Sequence, residues 1–260
     1  SGTGCTALAR GLISISPQVT SIPSGESLTL GVLTDLSDAN RRLELIHHNI
    51  RIQPGGEAVV PAAGYANHAA IELFPGGSTL AGPGTLDNHG ELSGTGTVAA
   101  AVVNNPGGTI DAINDELTFT QSVTNNAGAQ INTINSTLNF DAGLTNDGDL
   151  NLINTTINGT VTSTAAAIAT SGTATFNGAV TAGSDCTGDG HITFAGGYSP
   201  GNSPGVVIFE NHSVTFDPAN VLTIEIGGTD NSDPENPQFD QVIINGITNL
   251  AGTLRVELID

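Results

Sequence analysis

Residues 102–159 repeat at a spacing of 21, and the repeat decides what this chain can fold into. Val102-Val103-Asn104-Asn105-Pro106-Gly107-Gly108-Thr109-Ile110 is answered by Val123-Thr124-Asn125-Asn126-Ala127-Gly128-Ala129-Gln130-Ile131. Ile113–Phe119 is answered by Ile134–Phe140, and a shorter third copy starts at Leu144. Repeats this short cannot bury a hydrophobic face alone, so each must be one rung of a solenoid whose stacking makes the core. Leu117-Thr118-Phe119 and Leu138-Asn139-Phe140 alternate apolar and polar, the period of a strand. No stretch of helical length carries a helical period, which excludes alternating βαβ folds. The expected class is all-β: a parallel β-helix.

At the 21-residue offset, Val102/Val123/Leu144, Ile110/Ile131, Leu117/Leu138 and Phe119/Phe140 should stack as inward ladders. Asn105/Asn126 and Gly107/Gly128 should stack at a corner, where both residue types tolerate left-handed backbone. Ile52–Val59 and Leu73–Leu80 align at the same offset. Seven or eight rungs would give a rod roughly 35–40 Å long at the strand-to-strand spacing.

Three regions are expected. Residues 1–45 lack the rung pattern and read as a terminal cap with short strands at Leu12–Ile15 and Ser27–Leu30. A helical turn is expected over Asp35–Arg42. Residues 46–197 are the rungs. From 198 to 260 the strands lengthen (Val206–Phe209, Ser213–Phe216, Leu222–Ile226, Gln241–Ile244, Thr253–Leu258), as a distinct C-terminal module.

Charge narrows the partners. The net charge of −20, with five arginines as the whole basic complement, excludes a nucleic-acid groove and disfavours anionic lipid. No apolar run is long enough to span a membrane as a helix, so no membrane insertion is expected. The absence of Met points to a removed leader or a fragment, hence an extracellular or cell-surface location. Cys5 and Cys186 are a possible disulfide across a long separation.

Chemistry-bearing patterns are sparse. His47, His48, His68, His89, His191 and His212 show no metal-binding spacing. Asp147 and Asp149 could share a strand face, but Asp147 sits where the other repeats have Asn105 and Asn126, a solvated turn. Sequons occur at Asn135, Asn154, Asn158 and Asn211, in a chain rich in Asn and Thr. Thr-x-Thr pairs such as Thr118/Thr120 suggest an ice-binding array, but 21 residues on they become Asn139/Asp141, so the array breaks. The candidate metal ligands are Asp230, Asp233, Glu235 and Asp240 in one acidic loop and Asp185 and Asp189 in another. Both would offer hard oxygens to calcium.

Ser199-Pro200-Gly201-Asn202-Ser203-Pro204-Gly205 leads into Leu222–Gly228, then Phe239-Asp240-Gln241-Val242 and Leu250-Ala251-Gly252-Thr253-Leu254. With the Asn/Gly-rich rungs before it, this order resembles the C-terminal part of autotransporter-type β-helical surface proteins. The resemblance covers most of residues 50–260 and implies a right-handed parallel β-helix at a cell surface. It points to a non-catalytic structural or adhesive role: a stalk, surface-layer component or filament subunit. The partners would be further copies of itself or surface glycans. The competing expectation is a glycan-binding or polysaccharide-degrading β-helix using a lateral groove.

Overall fold

In the computed structural model the described residues are 19–25, 27–29, 49–163, 168–201, 204–230, 232–233 and 236–259. They contain strands, turns and bends but no helix, and the twenty-eight strands join in one continuous parallel sheet. A single antiparallel bridge, Ile226 with Phe239, is the exception among them. The chain is a parallel β-solenoid.

The cross-section has three sides, each a stack of short strands. One side runs from Val19–Ile22 through Asn49–Ile52, Ala70–Leu73, Glu91–Gly94, Thr109–Ile113 and Gln130–Ile134 onward to Gln241–Asn245. A second runs from Ser27–Thr29 through Glu57–Val59, Thr79–Ala81, Gly96–Val98 and Glu116–Phe119 to Thr248–Leu250. The third starts at Tyr65–Asn67 and ends at Thr253–Leu258. Burial alternates along the strands, as in Thr109–Ile113 and Glu116–Phe119, because successive side chains point to opposite faces of a pleated strand.

The expected ladders form in register: Val102↔Val123↔Leu144, Ile110↔Ile131, Leu117↔Leu138 and Phe119↔Phe140, all buried. At the corner, Asn126 Nδ2 donates to Asn105 Oδ1 at 3.2 Å and Gly107 N donates to Gly128 O at 2.9 Å. Both glycines have positive φ, 85° and 81°, which suits a residue without Cβ. One alignment slips. Ile52 pairs with Leu73 as expected, yet Leu80 pairs with Ala58 rather than Val59. The turn between the second pair of strands holds one more residue, Ser78, which is buried and donates to Phe74 O at 2.7 Å. A one-residue shift exchanges inward and outward faces, so the core, not the count of residues, fixed the register.

The N-terminal strands Val19–Ile22 and Ser27–Thr29 already pair in parallel with Asn49–Ile52 and Glu57–Val59. The expected strand at Leu12–Ile15 and the helical turn at Asp35–Arg42 lie outside the described residues. At the other end, Val206–Glu210, His212–Phe216, Val221–Ile226, Gln241–Asn245 and Thr253–Leu258 form close to the expected bounds, with Thr248–Leu250 in addition. They extend the same three stacks.

Candidate functional site

The rod's interior holds two kinds of column. The first is polar. Asn67, Asn88, Asn104, Asn125 and Asn146 are all fully buried, each two residues after an inward apolar side chain such as Val102 or Val123. Each carboxamide donates to the next: Asn67 to Asn88 at 2.7 Å, Asn88 to Asn104 at 2.7 Å, Asn104 to Asn125 at 2.8 Å and Asn125 to Asn146 at 2.7 Å. Asn146 closes the column on Ser163 Oγ at 2.9 Å. Asn67, Asn88, Asn104 and Asn125 each also donate to a backbone carbonyl across the corner, as Asn104 does to Gln130 O at 3.0 Å. A buried amide left unpaired would be costly, and here the pairing is complete along the run.

The second column is aromatic. Phe176, Phe194 and Phe216 stack with centroids 5.5 and 5.7 Å apart, and Tyr198 lies 4.5 Å from Phe194. Beside it is a small buried polar group. His212 is 1% exposed, and its Nε2 lies 2.7 Å from Thr170 Oγ1. Burial holds its imidazole below the ordinary 6.5, so the ring is neutral near pH 7. Burial also pushes Tyr198 well above the usual phenol range, with Cys186, Asp240 and Asp185 adding to it. Cys186 is a free, buried thiol pushed up to about 12, mainly by burial and then by Asp185. A thiol held protonated is a weak nucleophile and a weak metal ligand. Cys5, its candidate bridge partner, lies outside the described residues.

The candidate calcium ligands occupy separate places. Asp240 is 4% exposed; its Oδ1 accepts from Gly205 N at 2.6 Å and its Oδ2 from Glu225 N at 2.8 Å. Both oxygens therefore tie the Gly205 turn to the Val221–Ile226 strand. Burial raises its carboxyl above the ordinary range despite those two N–H donors. Asp230 is exposed and closes a local turn by accepting from Ser232 N at 2.8 Å, which lowers its carboxyl. Asp233 accepts from Asn236 Nδ2 at 3.0 Å. Glu235 lies outside the described residues. Asp185 accepts from Ile208 N at 2.8 Å and Asp189 from Ser171 Oγ at 3.2 Å. Among the described residues no three His, Cys, Asp or Glu side chains converge as a metal site. His68 and His89 stack at 4.7 Å, and His191 Nδ1 lies 2.8 Å from Ser213 Oγ. His47 and His48 are outside the described residues.

Two surface columns escaped the sequence reading. Thr137, Thr156, Thr175, Thr193 and Thr215 pair directly from rung to rung. Their spacings are 19, 19, 18 and 22 residues, so a search at a fixed 21 passes over them. Two positions along each strand stand Thr118, Asn139, Asn158 and Asn177, bonded in sequence at 2.9, 2.6 and 2.7 Å. The first signal that could have found them is the recurring Thr-x-Asn of Thr137–Asn139, Thr156–Asn158 and Thr175–Asn177.

The class that these features define is a parallel β-solenoid with a buried amide column from Asn67 to Asn146 and stacked phenyl rings at Phe119/Phe140 and from Phe176 to Phe216. No protein-family model matches the chain, and neither the curated proteins nor the solved structures yield a match.

Proposed function

We propose that this chain is a non-catalytic structural or adhesive rod of the autotransporter-passenger kind, working at the cell surface after export. The observation that carries the reading is where the ordered chemistry lies. The hydrogen-bonded amides and the stacked rings are spent inside the rod on holding rung to rung. Of the acidic side chains considered as ligands, Asp240, Asp185 and Asp230 accept from backbone N–H groups. A depression of about 230 Å³ beside the last described rung is lined by Phe216, Leu222, Leu250, Thr253 and Leu254, with no ionisable side chain among its lining residues.

The last rung supports assembly of the rod end to end. Gln241–Asn245, Thr248–Leu250 and Thr253–Leu258 each pair with the preceding rung. Ile247, Leu250 and Leu258 are 82%, 71% and 83% exposed there. Exposed apolar side chains along a rung edge suit pairing with a further rung by β-augmentation.

Sedimentation velocity and negative-stain electron microscopy test this together. Rods that lengthen with concentration, and that stay single when Leu250→Glu and Leu258→Glu are introduced, are expected. Depolymerisation of a polysaccharide, abolished by exchanging one surface carboxylate, would overturn the non-catalytic reading.

A further inference from the structure

We infer that the face bearing the Thr137–Thr215 column binds ice. The argument starts from register. Five threonines on consecutive rungs stand one strand spacing apart, about 4.8 Å, and beside the first three a second column, Asn139, Asn158 and Asn177, lies two residues along the strand, roughly 6.7 Å away. The oxygen rows on a prism face of hexagonal ice repeat on closely similar spacings in both directions. A protein face can hold water in that arrangement only if its own repeat is fixed in two dimensions.

Both dimensions are fixed here. The threonine column is set by the parallel pairing of Thr137↔Thr156, Thr156↔Thr175, Thr175↔Thr193 and Thr193↔Thr215. Its neighbour is locked by the amide chain from Asn177 through Asn158 and Asn139 to Thr118. Asn158 and Asn177 each donate one N–H along the column, and Asn139 donates to both Thr118 Oγ1 and Glu116 Oε1. The Thr175, Thr193 and Thr215 side chains carry no hydrogen bond to protein among the described residues, which leaves their hydroxyls for water. β-branching adds rigidity, because it restricts χ1 and fixes where each hydroxyl and methyl points.

Charge and composition choose the occupant. On a chain of net charge −20, the six positions from Thr137/Asn139 to Thr175/Asn177 are uncharged; the nearest carboxylates are at the ends of the face, Glu116 beside Thr137 and Asp217 two residues beyond Thr215. A neutral polysaccharide would normally ask for an aromatic platform under its sugar rings. The chain has no Trp, and Tyr65, Tyr198 and Phe119, Phe140, Phe176, Phe194, Phe209 and Phe216 are buried. Ordered water needs neither charge nor rings. The Thr118/Thr120 pair does break at Asn139, as the sequence indicates; the array belongs to the adjacent column.

The test is thermal hysteresis and ice-recrystallisation inhibition by the full chain. A freezing-point gap with faceted crystals is expected, and its loss in Thr156→Tyr and Thr175→Tyr. Thr162→Tyr, on another side of the rod, serves as the control and should keep the activity. Circular dichroism shows that each variant is folded. No hysteresis and no recrystallisation inhibition in the unaltered chain would overturn the inference, as would undiminished activity in both array variants. Retention on an insoluble neutral glycan that is lost in Thr156→Tyr, without any effect on ice, would overturn it in favour of a glycan face. None of these outcomes bears on end-to-end assembly, so this inference and the rod reading fail separately.

Discussion

Replacing Asn125 by Ala should damage the rod far more than the volume of one side chain suggests. Asn125 Oδ1 accepts from Asn104 at 2.8 Å, and its Nδ2 donates to Asn146 at 2.7 Å and to Asp149 O at 3.2 Å. Removing it leaves three buried groups without their partner. An unmet buried hydrogen-bonding group costs about 1–3 kcal/mol, so the simple sum is about 3–9 kcal/mol. Asn104 and Asp149 O can relax toward other groups, and a water can enter the gap, so the lower part of that range, about 3–5 kcal/mol, is expected. The comparison is Asn126→Ala, one residue along. Asn126 is only partly buried and bonds to Asn105 at 3.2 Å, so its loss should cost about 0.5 kcal/mol. Urea unfolding followed by circular dichroism gives both values, with hydrogen exchange locating the loosened rungs. If Asn125→Ala and Asn126→Ala lower the midpoint equally, the buried column is not what holds this half together.

Gly178→Ala tests close approach between rungs: the added Cβ would run into the Gly159 carbonyl, so about 3 kcal/mol or more should be lost, measured in the same melts. Gly107→Ala, whose added Cβ meets open space, should cost less, limited to its positive φ. His212 should make the rod acid-sensitive. Its folded pKa lies below the ordinary 6.5, so as pH falls through 6.5 the unfolded chain takes up a proton that the fold resists, and stability drops. His212→Gln should flatten melting temperature against pH between about 7 and 5.5, a window above that of ordinary carboxylates. An unchanged slope would assign the acid sensitivity elsewhere. Asp240, raised by burial, works in the opposite direction and at lower pH, where protonation relieves its desolvation.

What the sequence made legible was the part governed by a strict period. Leu117/Leu138 and Phe119/Phe140 could be placed because turn and strand lengths repeat there without change. The threonine column could not, because after Phe140 the rungs shorten to 19, 17 and 18 residues and only backbone pairing shows which threonine meets which. The buried asparagines were within reach of period-two logic, since Val102 pointing inward puts Asn104 inward as well. A polar side chain at a core position argues against itself, and only the continuity of Asn67 to Asn146 makes it affordable. The acidic loops show the converse. Clustered Asp in sequence suggested metal binding, whereas Asp240 turns inward to hold backbone and Asp230 closes its own turn.

The change of filling partway along the rod has a mechanical consequence. Each rung touches only its neighbours, so disorder entering at one end must travel as a front, one gap at a time. Starting from the rung of Thr253–Leu258, such a front first meets the stacked rings from Phe216 back to Phe176, whose cohesion is non-directional and yields gradually. It then reaches Ser163 and Asn146, where the amides begin and every gap is bridged by a bond of fixed direction. Pulled or warmed from that side, the rod should fray over the rungs from Phe216 to Phe176 and arrest at that junction, like a cord whipped partway along its length.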